Sequence, residues 1–257
     1  MTKQRISFLH IAPEVGQVKD NRRLVESALK VAASEGADWV LTPELCIPGY
    51  LFTEKIGCDW ILPQPDPWMQ DFCGLVKDQG LTVFLSHPER YPETGKLHNT
   101  VFVIDPLGEI IGKHRKIRTL RGAEGWSSPG IEIKPVDCTT VKAGILICSD
   151  AYQNEVAQKL KDQGAQLLVS LVSWGPGRCG PDGEWEQRTA DTGLPIMVCN
   201  RSGAEEGELD YRSAESVVAQ DGRRLLTATS DRSVVLSFDW DMETMTLLSE
   251  DFDRAYV

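Results

Sequence analysis

The sequence has no C-x-x-C pair, no H-E-x-x-H motif and no histidine-rich tract, which removes the common signatures of zinc sites. Its four histidines, at positions 10, 87, 98 and 114, have no ligand-like spacing, so nothing asks for a metal or another cofactor. Basic charge is scarce: 27 Lys and Arg stand against 38 Asp and Glu, a formal charge of -11 over 257 residues. That shortage disfavours nucleic acid and anionic membrane surfaces as partners and leaves a small molecule as the expected one. No apolar run reaches the length of a membrane span, and the one within MTKQRISFLHIAPEVG is too short and too soon interrupted for a signal peptide. A cytoplasmic location is therefore expected. The seven cysteines are an odd number, scattered along the chain, and a disulfide framework is not expected.

What is present is a hydrophobic content of 41%, enough to bury one sizeable core. One domain over 1–257 is expected, with 241–257 as a C-terminal tail. The order of elements reads strand, helix, strand. An apolar run from Ile6 to Ile11 precedes a periodic segment beginning near Asn21, in which Leu24, Val25, Ala28, Leu29 and Ala32 share one helical face. Trp39 to Leu41 is the next strand.

A helix from about Asp66 to Gln79 stops at Gly80, the strand Leu81 to Ser86 follows, and a hairpin turns at Asp105-Pro106-Leu107-Gly108. Val141 to Cys148, Gln166 to Val172 and Pro195 to Cys199 read as strands, separated by helices over Asn154 to Gln163 and Trp185 to Asp191. Val217 to Leu226 and Val234 to Trp240 close the sheet. The tetrapeptide KDQG occurs at Lys77 to Gly80 and again at Lys161 to Gly164, each time between helix and strand, a hint of two related halves. The alternation predicts an α/β fold with buried strands.

Three polar residues fall at or just past predicted strand ends, where ligands collect in open α/β sheets: Glu44 in LTPELCIPGY, Lys116 in GKHRKIR and Cys148 in VKAGILICSD. Each has an ordinary counterpart. A strand-end cysteine is commonly a small buried hydrophobe, an isolated glutamate after a strand is commonly solvated, and lysines protect sheet edges. Together they supply a nucleophile, a base and a cation, the set a cysteine hydrolase needs.

At this point the pattern resembles the nitrilase superfamily, the carbon-nitrogen hydrolases, from about Ile6 to Trp240. Pro43-Glu44 through Gly49-Tyr50 matches its P-E-x-x-x-x-G-Y element, and Gly112 through Lys116 its G-x-x-R-K element. Gly144, Cys148, Asp150 and Glu155 match its G-x-x-x-C-x-D element and the glutamate beyond it, and Glu124 in RGAEGWSSPG fills the place of a second glutamate.

The resemblance implies an α-β-β-α four-layer sandwich, assembly into homodimers or larger homo-oligomers, and hydrolysis of a small amide through a thioester on Cys148. It also implies that Glu44 moves the proton, that Lys116 with the Ser149 backbone N–H holds the oxyanion, and that Glu124 positions Lys116 or the substrate amine. Lys116 is further expected to favour the Cys148 thiolate. Trp174 and Arg178, on the loop after a strand, are candidates for a pocket wall and a carboxylate anchor.

The chain departs from its relatives in CSDAYQNE, where amidases often read C-Y-D-x-R-F-P-E, and in RTADT, where Arg188 and Asp191 stand nearest to an R-A-x-E-N pattern and Thr192 replaces its asparagine. Other readings of the same residues are a nitrilase, an N-carbamoyl hydrolase, an acyltransferase, and a non-catalytic binding protein on the same fold.

Overall fold

The computed structural model describes residues 2–177, 180–205 and 209–257. The strand Trp39–Leu41 forms where the sequence places it, buried throughout. It lies parallel between Lys3–His10 and Thr82–Arg90. Antiparallel strands extend this sheet on both sides: Val234–Asp241 beside Lys3–His10, and Leu97–Ile104 then Ile110–Arg115 beside Thr82–Arg90.

A second sheet repeats the plan. Lys142–Ile147, Leu167–Val172 and Ile196–Asn200 run parallel in that order, with Val136–Asp137 on one flank and the pair Ser216–Gln220 and Arg223–Ala228 on the other.

Period-two alternation decides which side of a strand meets which layer. Ile6, Phe8, Trp39, Leu41, Phe84, Val101 and Val103 point between the sheets, where they meet Ile145, Ile147, Val169 and Leu171. Their neighbours Leu9, Val40, Val83, Leu85 and Phe102 point outward onto Val25, Leu29, Phe72 and Val76 of the helices Val18–Ser34 and Pro67–Gln79. Helices Asn154–Asp162 and Glu184–Thr192 cover the second sheet. The fold is an α-β-β-α sandwich, and its largest buried cluster lies between the two sheets and under the helices of the second.

Local chemistry sets the boundaries. Asp66 caps the helix Pro67–Gln79, its Oδ1 accepting the Met69 N–H at 2.8 Å, with Pro67 at the first helical position, where a missing N–H costs nothing. At the hairpin after Ile104, Asp105 Oδ1 accepts the N–H groups of Leu107 and Glu109 at 2.9 Å each. Gly108 there has φ 79°, and a Cβ would meet the Cys73 carbonyl at 2.6 Å.

Three expectations change. Val217 to Leu226 is two strands, because the chain reverses at Asp221-Gly222, both in positive φ, the pattern of a tight hairpin turn. It closes the second sheet while Val234–Asp241 lies in the first. The segment 241–257, expected as a tail, sends Thr246–Leu247 and Asp253–Tyr256 back to pair with Val234–Asp241.

The KDQG repeat does not mark equivalent places. Its first copy leads into the third strand of one parallel trio and its second into the middle strand of the other. The two halves do share a β-α-β-α-β order, but the tetrapeptide does not carry it. Among the described residues no helix is long and apolar enough to cross a membrane.

Candidate active site

Four elements deliver polar groups to one end of the two sheets. After Leu41 the Thr42 N–H still donates to Phe84 O at 3.0 Å, Pro43 has no N–H to offer, and the Glu44 N–H crosses to Val172 O of the second sheet at 3.3 Å. Lys116 lies one residue past Ile110–Arg115. Its N–H continues the ladder to Asn99 O at 2.8 Å, and its carbonyl accepts the Gly130 N–H at 2.7 Å. Cys148 follows Lys142–Ile147 and opens a 3-10 turn, Cys148–Tyr152, with φ 46°. A non-glycine residue in that region costs about 1 to 2 kcal/mol, so its surroundings must hold it there.

Asp150 does the holding. Its Oδ2 accepts the Ile147 N–H at 3.1 Å and its Oδ1 accepts the N–H groups of Ile117 and Arg118 at 3.1 and 2.8 Å. His114 Nε2 lies 3.1 Å from Asp150 Oδ2. One buried carboxylate thereby ties the cysteine turn to the segment carrying Lys116. From behind, Arg188 Nη1 donates to Ala151 O at 3.0 Å and Nη2 pairs with Asp191 at 2.8 Å. The two residues of RTADT that stand nearest to the R-A-x-E-N pattern thus brace the turn.

Glu44, Lys116 and Glu124 are all sealed from solvent. Lys116 Nζ donates to Glu44 Oε1 at 2.7 Å and to Glu124 Oε1 and Oε2 at 2.7 and 2.8 Å. Glu44 Oε2 accepts the Ser173 N–H at 3.0 Å, and Glu124 Oε2 accepts the Leu120 N–H at 2.9 Å. Asn99 Nδ2 reaches both carboxylates, at 2.9 Å from Glu44 Oε1 and 3.1 Å from Glu124 Oε1. Buried charges of this kind persist only when paired and hydrogen-bonded, and each of these is.

At Cys148 the Lys116 ammonium acts in the expected direction but does not decide the balance. Burial pushes the thiol well up, the Glu44 carboxylate adds to the rise, Lys116 opposes it and so favours the thiolate, and Glu124 and the hydrogen bond to Glu44 add further to the rise. One ammonium is outweighed by two carboxylates and a dry site, so the thiol form is favoured. Burial also raises the Glu44 carboxyl, against Lys116 and with Glu124. Burial works against the Lys116 charge too, but Glu44, Cys148 and Glu124 outweigh it and hold the ammonium above its ordinary value.

In front of Cys148 opens a cavity of about 510 Å³, walled by Tyr50, Tyr152, Trp174, Tyr211 and Ser173. Trp174 meets Tyr152 edge-on at 4.8 Å and Trp185 at 5.6 Å. Its backbone is clamped by Asn200, whose Oδ1 accepts the Trp174 N–H at 3.1 Å while Nδ2 donates to Trp174 O at 2.9 Å. Tyr211 lies under the Arg201 guanidinium at 4.4 Å.

The structure therefore brings Cys148, Glu44, Lys116 and Glu124 together and puts Trp174 on the cavity wall. Ser149 is buried, its hydroxyl donates to Arg118 O, and it is not among the residues that wall the cavity. Arg178 lies outside the described residues. Sequence reasoning missed Asn99, Asp150 as a brace, and Asn200. The available signal was an uncompensated Asn inside an apolar strand, at LHNTVFVI and IMVCN. No group of three or more His, Cys, Asp or Glu among the described residues could hold a metal ion.

A family model for carbon-nitrogen hydrolases matches residues 6–249. A Xenopus tropicalis omega-amidase is 28% identical over 264 residues, covering 97% of this chain and 93% of that protein. A Schizosaccharomyces pombe probable nitrilase is 21% identical, covering 97% and 93%. A Thermotoga maritima glutamine-dependent NAD(+) synthetase is 23% identical over 95% of this chain, which spans only 43% of that protein.

Among solved structures, Saccharomyces cerevisiae Nit3, of the nitrilase superfamily, superposes with a TM-score of 0.82 at 19% identity, covering 95% of this chain and 93% of Nit3. A cysteine-to-alanine variant of the Nesterenkonia sp. AN1 amidase in complex with butyramide gives 0.79 at 22%, covering 92% and 90%. The chain belongs to the carbon-nitrogen hydrolase family.

Proposed function

We propose that this member of the carbon-nitrogen hydrolase family is an amidase that cleaves a small linear amide through a thioester on Cys148. The observation that carries the reading is the placement of Cys148 on the floor of an aromatic cavity, with Glu44, Lys116 and Glu124 dry and mutually bonded behind it. An omega-amidase among the relatives points to the same substrate class.

The scheme starts from Cys148 as a thiol, the form that burial and the two carboxylates favour, and from Glu44 as a carboxylate held by Lys116 and Asn99. As Sγ attacks the amide carbon, Glu44 takes the thiol proton, and the oxygen's new charge is met by the Ser149 backbone N–H and by the positive field of the Lys116 ammonium, whose three N–H groups stay on the two carboxylates. A donor of this type contributes about 3 to 4 kcal/mol to such a step. Glu44 then returns the proton to the leaving nitrogen, which an amide requires because its amine leaves poorly as an anion. Water, activated by the same carboxylate, cleaves the thioester and releases the acid. Glu124 holds Lys116 at the geometry this needs. An ion pair formed in advance between thiolate and lysine is not part of this scheme, because the two carboxylates favour the thiol.

The test is a set of matched amides and nitriles, each with and without a distal carboxylate, followed by ammonia release and intact-protein mass. Amide turnover with a mass increase matching the acyl group is expected. Faster turnover of nitriles would overturn the amidase reading, while indifference to the carboxylate would remove only the anchoring role proposed for Arg178.

A further inference from the structure

Asn99 is fully buried on the strand Leu97–Ile104, and the reaction scheme above gives it no part. Its side chain makes two charge-assisted hydrogen bonds and nothing else among the described residues. Nδ2 donates to Glu44 Oε1 at 2.9 Å and to Glu124 Oε1 at 3.1 Å, and Oδ1 has no partner. The orientation is fixed by chemistry: with the amide turned over, Oδ1 would face two acceptor oxygens in a dry site. The same two oxygens accept from Lys116 Nζ at 2.7 Å each. The four atoms make a closed ring in which a charged donor and a neutral donor alternate with two carboxylates.

A single buried ammonium between two carboxylates leaves one negative charge in excess, and like charges at this range drive one of them to protonate. A neutral amide that donates to both offsets this without adding charge. We infer that Asn99 is a positioning residue that keeps Glu44 ionised beside Glu124, and so sets the lowest pH at which Glu44 can act as a base. The inference rests on the amidase reading for what Glu44 does, but the ring itself is independent of substrate. The titratable groups facing Glu44 are Lys116 and Glu124 within the ring and Cys148 in front; Tyr50 and Tyr211 lie beyond on the cavity wall. The Asn99 bond acts to lower the Glu44 carboxyl, against the rise that burial and Glu124 produce.

The sign is fixed. A donor to the charged form lowers a carboxyl pKa, so its removal raises it, and base catalysis is lost at a higher pH. Two nearly isosteric changes test this. Asn99→Leu removes the donor and Asn99→Asp replaces it with a third acidic group. The readouts are the acidic limb of the kcat/KM profile for an amide and the pH dependence of Cys148 alkylation by iodoacetamide, followed by intact mass, with melting curves taken first. Asn99→Ser serves if the leucine variant does not fold.

In both variants the acidic limb should move upward by about one pH unit, the size expected from a lost hydrogen bond to a charged group, and alkylation should shift with it. A rate that falls equally at every pH, with both limbs unmoved, would make Asn99 a packing residue and overturn the inference. Absence of amide turnover by the wild type would strike the amidase reading instead, because the alkylation profile still reports the ring.

Discussion

The two sides of the cavity floor are built by opposite rules. Behind Cys148, every carboxylate oxygen of Glu44 and Glu124 accepts at least one hydrogen bond, and Lys116 spends its ammonium on three of them. In front, the wall is Tyr50, Tyr152, Trp174 and Tyr211, with Trp174 edge-on to Tyr152 and Trp185 and Tyr211 under the Arg201 guanidinium. The buried Tyr211 hydroxyl and Trp185 Nε1 have no partner among the described residues. The first side is over-determined, as a site must be when charges are to be kept dry and ready. The second is held by shape, which tolerates substitution and can differ between relatives that share the chemistry. Changes behind Cys148 should therefore appear in kcat, and changes in front in KM.

The sharpest break comes at the boundary itself. Cys148→Ala removes the nucleophile and little volume. Hydrolysis should fall by on the order of 10⁴-fold or more, with circular dichroism and melting temperature close to wild type. Ammonia release at anything near the original rate would remove Cys148 from the chemistry.

Lys116→Met strikes both the charge balance and the reaction. It leaves Glu44 and Glu124 facing one another without a cation, and breaking a buried pair in this way costs about 3 to 5 kcal/mol of stability. Loss of turnover by roughly 10³-fold is expected alongside a lower denaturation midpoint. Activity within a few fold of wild type would mean that the ammonium is only a structural counter-charge.

Glu124→Gln keeps the shape and an acceptor while removing a charge, so a smaller effect is expected. Turnover should drop by about 10²-fold with KM within a few fold, as measured by steady-state kinetics on a single amide. A rise in KM at constant turnover would place Glu124 on the substrate side of the divide.

The smallest effect belongs to the wall. Trp174→Leu should raise KM by about tenfold, the scale of losing apolar contact with a small substrate, and leave kcat within a factor of about three. A collapse of kcat would show that the wall and the polar cluster are not separable.

Much of this was legible along the chain. Glu44, Lys116 and Cys148 stand at strand ends, where topology alone delivers side chains to one place, and motif spacing added Glu124. The strand Trp39–Leu41 and the turn at Asp105 were readable because their signals are local: a buried apolar run and an aspartate that bonds its own backbone. The hairpin at Asp221-Gly222 was equally local but hidden in an apolar segment that reads as one strand. The returns of Thr246–Leu247 and Asp253–Tyr256 to the sheet rest on edge pairing that short polar segments do not advertise.

By itself, then, the sequence determined which residues are available for chemistry and which layers they hang from, because hydrophobic period and turn chemistry act over a few residues. Only the tertiary structure decided how those residues behave. Strand pairing brings Asn99 within 2.9 Å of Glu44, across 55 positions of chain, and folds Asp150 back onto the N–H groups of Ile117 and Arg118. It also set the balance of charges around Cys148, which favours the thiol. A thiol's ionisation follows the sum of every nearby charge, weighted by distance and by how much water is excluded. Neither weight exists until the two sheets close over Glu44, Lys116 and Glu124.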